Sequence, residues 1–291
     1  MNWLSQLLDP VPDDPFYQPR KPLCRNQKPN HPLSMTTTQS KPNWRRWFLM
    51  VIYAMAMAWV ESAVVFYLRT MIGRIDPYQA DPFPIVRGFG WVELAREFST
   101  IVMLFAVGCL AGRTWRARIG YFVIGFGVWD IFYYVFLKVI CGWPHSLLDW
   151  DVLFLLPMPW WGPVLAPMLI SLLMMIWGTL ASRESAVPAP RSQPAIRQTT
   201  RPALRGAVSA LAFAGVVLAL YVFMADTLAA VPHGLAAICS VLPQKFNWTL
   251  FGMAWLMMAA PLLQAGWQAW MRPRGLPAIN GKVQNLDASA N

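Results

Sequence analysis

Six ionisable side chains stand inside, or at the ends of, long apolar stretches: Glu61, Glu93, Arg96, Glu97, Asp130 and Lys138. A charge in a bilayer's hydrocarbon costs roughly 2.5–3.5 kcal/mol on insertion scales, and is a functional-site hypothesis by default. All six fall in the first three apolar stretches; only Asp226 lies in a later one. Glu93, Arg96, Glu97 and Thr100 stand at i, i+3, i+4 and i+7, on one face of a helix. Asp130, Tyr134 and Lys138 share a second face at i, i+4 and i+8. Four carboxylates against two cations leave a surplus that protons, a metal, a cationic ligand or Arg69 must balance. From the 1.5 Å rise per residue, Glu93, Arg96, Glu97 and Lys138 lie within roughly 8 Å of the outer boundary. Glu61 lies about 10 Å deep and Asp130 about 18 Å. The spacing predicts a polar funnel entered from the periplasmic side, with Asp130 at its floor.

Carboxyl groups withheld from water suit general acid/base catalysis or cation binding. Glu61, Glu97 and Asp130 are the candidates for that work, with Glu93, Arg96, Tyr134 and Lys138 as substrate-binding groups. The bland alternative is structural: Arg96 paired with Glu93 or Glu97, and Lys138 with Asp130, would simply fasten three helices together. A carboxylate–His metal site from Glu61, Glu93, Glu97 and His145 has acceptable ligand types, but no E-x-x-H or H-E-x-x-H spacing supports it. No phosphate-binding loop, dinucleotide fingerprint, nucleophile elbow or haem-ligand pair is present, so there is no nucleotide or redox-cofactor signal. Cys24, Cys109, Cys141 and Cys239 show no metal or redox spacing. Cys141 and Cys239 both fall at outer helix ends, where a disulfide is geometrically possible.

The elements that must carry these residues are membrane helices. Of 291 residues, 56% are hydrophobic and only 13% charged, about half the charged share of an ordinary soluble domain. Apolar segments at 47–68, 92–112, 119–142, 152–181, 207–228 and 248–271 meet or approach the roughly 20 residues that cross a bilayer. Ten-residue alternating patterns, the mark of a membrane barrel, are absent. The expected class is therefore all-α, with about six transmembrane helices. Eighteen of the 24 Lys and Arg fall in the tails and in the 113–118 and 183–206 loops. That asymmetry places both termini in the cytoplasm and accounts for the +10 net charge without a nucleic-acid partner. Five regions follow: a disordered Pro-rich tail at 1–45, a four-helix membrane core at 46–182 holding the polar cluster, and a flexible linker at 183–206. A two-helix hairpin at 207–272 and a tail at 273–291 complete the chain. Within the fourth segment, Pro157, Pro159, Pro163 and Pro167 rule out a regular helix at 152–163. An irregular stretch is expected there, with Trp160 and Trp161 as interfacial anchors, ahead of a straight helix at 164–181.

Several longer runs carry a resemblance: Ala58-Trp59-Val60-Glu61-Ser62-Ala63 continuing to Arg69, Arg96-Glu97, Gly127-Val128-Trp129-Asp130-Ile131-Phe132-Tyr133-Tyr134, and Pro159-Trp160-Trp161-Gly162-Pro163. Over residues 47–181 the chain resembles a group of bacterial polytopic membrane proteins of unknown function. The resemblance implies a bacterial inner-membrane location and no activity. Three readings of function stay open. The first is a membrane-embedded binding protein or enzyme for a lipid-like or small amphiphilic substrate. The second is a small proton- or cation-coupled transporter, and the third an accessory subunit of a membrane complex.

Overall fold

The computed structural model describes residues 44–79, 89–183 and 202–270. Residues 1–43 of the 1–45 tail, most of the 183–206 linker and the 273–291 tail lie outside those residues. The helices are α1 (Trp44–Met71), α2 (Phe89–Ala111), α3 (Trp115–Cys141), α4 (Leu165–Ala181), α5 (Pro202–Ala230), α6 (Leu235–Cys239) and α7 (Trp248–Trp270). Five of them (α1, α2, α3, α5 and α7) are long and apolar enough to cross a membrane, while α4 is apolar but only 17 residues long. The protein is a mostly helical, multi-pass membrane protein. Ile52, Val60, Leu110, Phe213, Leu256 and Leu263 are each more than half exposed. An apolar surface so extensive is built for lipid rather than water.

Helix α3 is the centre of the first group and packs against α1, α2 and α4. It starts at Thr114, whose side chain accepts from the Ala117 N–H, and stops at Gly142, which adopts the left-handed conformation at φ 78°. Those are the expected start and stop residues of a helix. Ile124, Val128, Leu104, Ala54 and Met50, all 2% exposed or less, fill the space between α1, α2 and α3. Against α4 the approach is closer still. A Cβ placed at Gly178 would lie 2.5 Å from the Gly120 carbonyl oxygen, and one at Gly127 would lie 2.6 Å from the Ser171 carbonyl oxygen. Lipid supplies no hydrophobic drive to press helices together, so small residues that admit backbone contact do that work. Helices α5 and α7 pair with each other through Phe223, Phe251 and Ala254. Trp255 Nε1 ties α7 to α4 by donating to the Leu169 carbonyl at 3.0 Å.

The irregular stretch expected at 152–163 is a two-stranded antiparallel hairpin, β1 (Trp150–Phe154) and β2 (Trp160–Pro163). It is an addition to the all-helical expectation. Asp151 stands opposite Gly162 and Val152 opposite Trp161, with the register shifting before Phe154. Pro157 and Pro159 fall in the turn, where a missing N–H does no harm, and Pro167 falls in the first turn of α4, which tolerates it. Trp160 and Trp161 are not interfacial anchors. Trp161 is 1% exposed, with Tyr78 edge-on to it, and Trp160 stacks on Phe223 of α5. The strand is covered by neighbouring segments, so both indoles pack within the protein. Cys141 and Cys239 are free thiols, not a disulfide.

The α3–α4 contact should therefore tolerate no side chain. Gly178→Val is expected to destabilise the fold by about 1–3 kcal/mol, the usual cost of overpacking. Gly252→Ala, where a Cβ meets no atom within 4 Å, should leave stability unchanged or slightly raised. Thermal unfolding in a mild detergent compares the two, and equal midpoints would show that the close approach is not required.

Candidate functional site

Three of the predicted helix faces do converge, at the end of the bundle where α1 and α3 finish and α2 and α4 begin. Arg96 of α2 is the hub. Its Nη2 and Nε bond Glu93 Oε2 at 2.8 and 2.9 Å, and its Nη1 contacts Glu61 of α1. The Thr100 hydroxyl donates to its own helix at the Arg96 carbonyl (3.1 Å) and reaches Glu61 Oε2 at 3.4 Å. Of the two partners expected for Arg96, Glu93 is paired and Glu97 is not. Glu97 instead accepts the Leu155 N–H from the β hairpin, at 2.9 and 3.2 Å. Asp130 of α3 accepts from the Ser171 hydroxyl of α4 at 2.8 Å.

Lys138 does not join the group. It is exposed, and its Nζ caps its own helix by donating to the Gly142 carbonyl at 2.8 Å. The i+8 spacing that placed it on one face with Asp130 overlooked the length of the lysine stem, which reaches past the helix end. Tyr134 is buried with its ring near Trp143. His145 sits in an exposed loop with its N–H on Asp149, and among the described residues no group of three or more His, Cys, Asp and Glu could hold a metal ion. The metal alternative built on His145 therefore fails on geometry.

A second buried ion pair was not anticipated. Arg69 Nη2 meets Asp151 Oδ1 at 2.9 Å, with the two side chains 10% and 1% exposed. The same guanidinium lies 4.2 Å from the centre of the Trp143 ring and donates to the Ile75 carbonyl. Arg69 was visible only as a spare cation at a helix end. Nothing in the residue type of Asp151 announces that its strand folds inward.

These groups line one cavity of about 720 Å³, within the size range of small-molecule sites. Six carboxylates (Glu61, Asp76, Glu93, Glu97, Asp130 and Asp151) and three guanidiniums (Arg69, Arg74 and Arg96) border it, among much apolar and aromatic surface such as Val65, Leu94 and Trp129. Asp130 sits about 16 Å along α3 from Cys141. Beneath it, Ile124, Val128 and Leu104 are fully packed, so the cavity has a closed apolar floor. Glu97 and Asp130 have no cation within salt-bridge distance among the described residues; both are satisfied by neutral donors. No protein family, curated protein or solved structure matches this chain.

Removing one half of a buried ion pair strands the other, at about 3–5 kcal/mol. Arg69→Leu should incur that loss, and the double variant Arg69→Leu/Asp151→Leu should recover most of it. Denaturant unfolding of the single, double and parent proteins checks the pair. A double variant no more stable than the single one would show that Arg69 does not act through Asp151.

Proposed function

We propose that this protein is a bacterial inner-membrane protein of six spans that binds a lipid-like or small amphiphilic substrate in the 720 Å³ cavity, with its mouth on the periplasmic side. The feature that carries the reading is a cavity holding carboxylates, Glu97 and Asp130, that have no cationic partner among the described residues, above a packed apolar floor. A purely structural network would match its charges. Here Arg96 pairs with Glu61 and Glu93, and Arg69 with Asp151, while Glu97 and Asp130 keep acceptor capacity toward the cavity. Glu97 and Asp130 are the groups positioned for acid/base work on a bound head group, and Glu61 and Glu93 hold Arg96. The packed layer below Asp130 favours a binding protein or enzyme over a carrier, which would need a polar route onward to the other face.

Support for six spans comes from α4, about 26 Å long by its rise per residue, lengthened by the hairpin that precedes it. The distribution of Lys and Arg supports cytoplasmic termini. The bacterial location rests on the resemblance over residues 47–181.

Native mass spectrometry of the protein released from its own membrane tests the ligand reading. A stoichiometric amphiphile should be retained and should disappear in Leu94→Trp, which fills the cavity from its wall. Absence of any retained molecule, or equal retention by the filled variant, would overturn it. Orientation is checked separately by single cysteines in a cysteine-free background. An impermeant thiol reagent applied to spheroplasts should label His145→Cys at once and Arg113→Cys only after the membrane is opened. The reverse pattern would invert the topology.

A further inference from the structure

At the end of the bundle opposite the cavity, arginines from two helices meet on one turn. Arg46 Nη1 of α1 donates to the Ala111 carbonyl at 3.0 Å, and Arg118 Nε of α3 donates to the next carbonyl, Gly112, at 3.3 Å. The turn is tight, since a Cβ at Gly112 would collide with the Arg118 nitrogen. Arg118 gives only its Nε to the carbonyl, and its two terminal nitrogens form no hydrogen bond among the described residues. The same guanidinium lies 5.4 Å from the centre of the Trp115 ring. Arg45 and Arg116 stand exposed beside it.

Along their helices, the nearest carboxylates to these arginines are Glu61, Glu97 and Asp130, each about 18 Å or more away by the rise per residue. That is well beyond the roughly 8–10 Å over which exposed charges act in salt. Arg45, Arg116 and Arg118 pair with no carboxylate among the described residues. The stretches 1–43, 184–201 and 271–291 each carry more Lys and Arg than Asp and Glu. Arg116 and Arg118 also stand at the head of α3, where the helix dipole is positive and a cation is disfavoured. A topology signal needs basic residues only somewhere in a loop. It does not need guanidiniums of two helices fixed on consecutive carbonyls.

The surroundings of the arginines match a lipid. Trp44 and Trp115, next to them in the chain, are more than half exposed, as indoles at headgroup level are. Phe48 and Leu49 of α1 and Leu110 of α2 add exposed apolar surface beside them. A soluble anion would use the arginines and leave that surface without a role, whereas a phospholipid uses both.

We propose that this rim binds an anionic phospholipid. Its phosphate lies on Arg46 and Arg118, flanked by Arg45 and Arg116, and its acyl chains lie on the exposed faces of α1 and α2. Basic pockets between membrane helices recognise lipid head groups in this way. The site is separate from the cavity and does not depend on what the cavity holds.

The test is a lipid titration of the full, delipidated chain in a nonionic detergent, read by native mass spectrometry. Phosphatidylglycerol should bind about tenfold more tightly than phosphatidylcholine with the same chains, the effect of two arginines near an anionic lipid. Arg46→Gln/Arg118→Gln should erase that preference. Lys138→Gln/Lys245→Gln, which removes the same charge from exposed positions at the other end, should leave it unchanged. Because Arg46 and Arg118 also hold the turn, a second variant avoids them. Arg45→Gln/Arg116→Gln alters only exposed side chains, and should lower the preference severalfold with the thermal midpoint unchanged. Equal binding of the two lipids, an equal loss in Lys138→Gln/Lys245→Gln, or no loss in Arg45→Gln/Arg116→Gln would overturn the site. Millimolar inorganic phosphate should not displace the lipid; if it does, the rim holds a free anion and the phospholipid assignment is wrong.

Discussion

The upper half of the bundle depends on neutralising Arg96. A guanidinium keeps its charge at any pH a cell encounters, so at this depth it cannot escape into a neutral form and must be met by carboxylates. One comes from its own helix at i−3 and another, Glu61, from α1. Those two demands set the register of α1 against α2, whose direct packing is slight. Once the register is set, Ser62 lies where its hydroxyl reaches the Tyr133 carbonyl of α3 at 3.0 Å, in addition to its own helix. Arg46, a turn from the other end of α1, reaches the Ala111 carbonyl at the end of α2 at 3.0 Å. Polar contacts therefore fix positions along the helix axes, while glycine contacts between α3 and α4 fix their separation.

Within that frame the β hairpin is the unusual element. Non-helical backbone at membrane depth survives only where the protein or a water-filled cavity satisfies its polar groups. Here side chains of neighbouring helices do so. Glu97 takes the Leu155 N–H, and Thr227 of α5 donates to the Pro159 carbonyl at 2.8 Å. Where the hairpin meets α4, the Val164 and Leu165 N–H groups bond the Asp149 and Leu147 carbonyls. Glu97 thus has two consequences: it closes a backbone valence in the hairpin and it leaves a carboxylate facing the cavity. The hairpin in turn supplies Asp151, which anchors Arg69 at the end of α1. A helix in its place would have satisfied its own backbone and left Arg69 and Glu97 without those partners.

Much of the fold was legible in the sequence because helices in lipid are specified by composition and length, which survive any rearrangement of neighbours. The long apolar segments and the proline-broken 152–163 stretch all correspond to elements of the structure. The grouping of Glu93, Arg96 and Glu97 was also legible, since i+3 and i+4 spacing alone puts them on one face. What failed were the pairings and orientations of particular side chains between elements. Lys138 shares a face with Asp130 but its flexible stem turns to its own helix end. Trp161 has the residue type of an interfacial anchor, yet strand pairing turns it inward. Ser171 carries no local signal in its leucine-rich helix, and only the close approach of α3 and α4 brings it to Asp130. The Arg69–Asp151 contact spans 82 positions in the chain, and no local pattern encodes it.

The difference between a structural charge cluster and a binding site lies in what each leaves unmatched. Packing alone would favour complete pairing, because every buried charge left without a counter-charge raises the cost of folding. Two of the cavity's guanidiniums are consumed by three carboxylates, yet Glu97 and Asp130 are held by an amide and a hydroxyl, donors strong enough to orient a carboxylate but not to neutralise it. A chain under selection for stability alone could replace Asp130 by a neutral residue and keep the Ser171 contact. Asp130 and Glu97, both bordering the cavity, show the pattern expected when part of the counter-charge arrives from outside the chain.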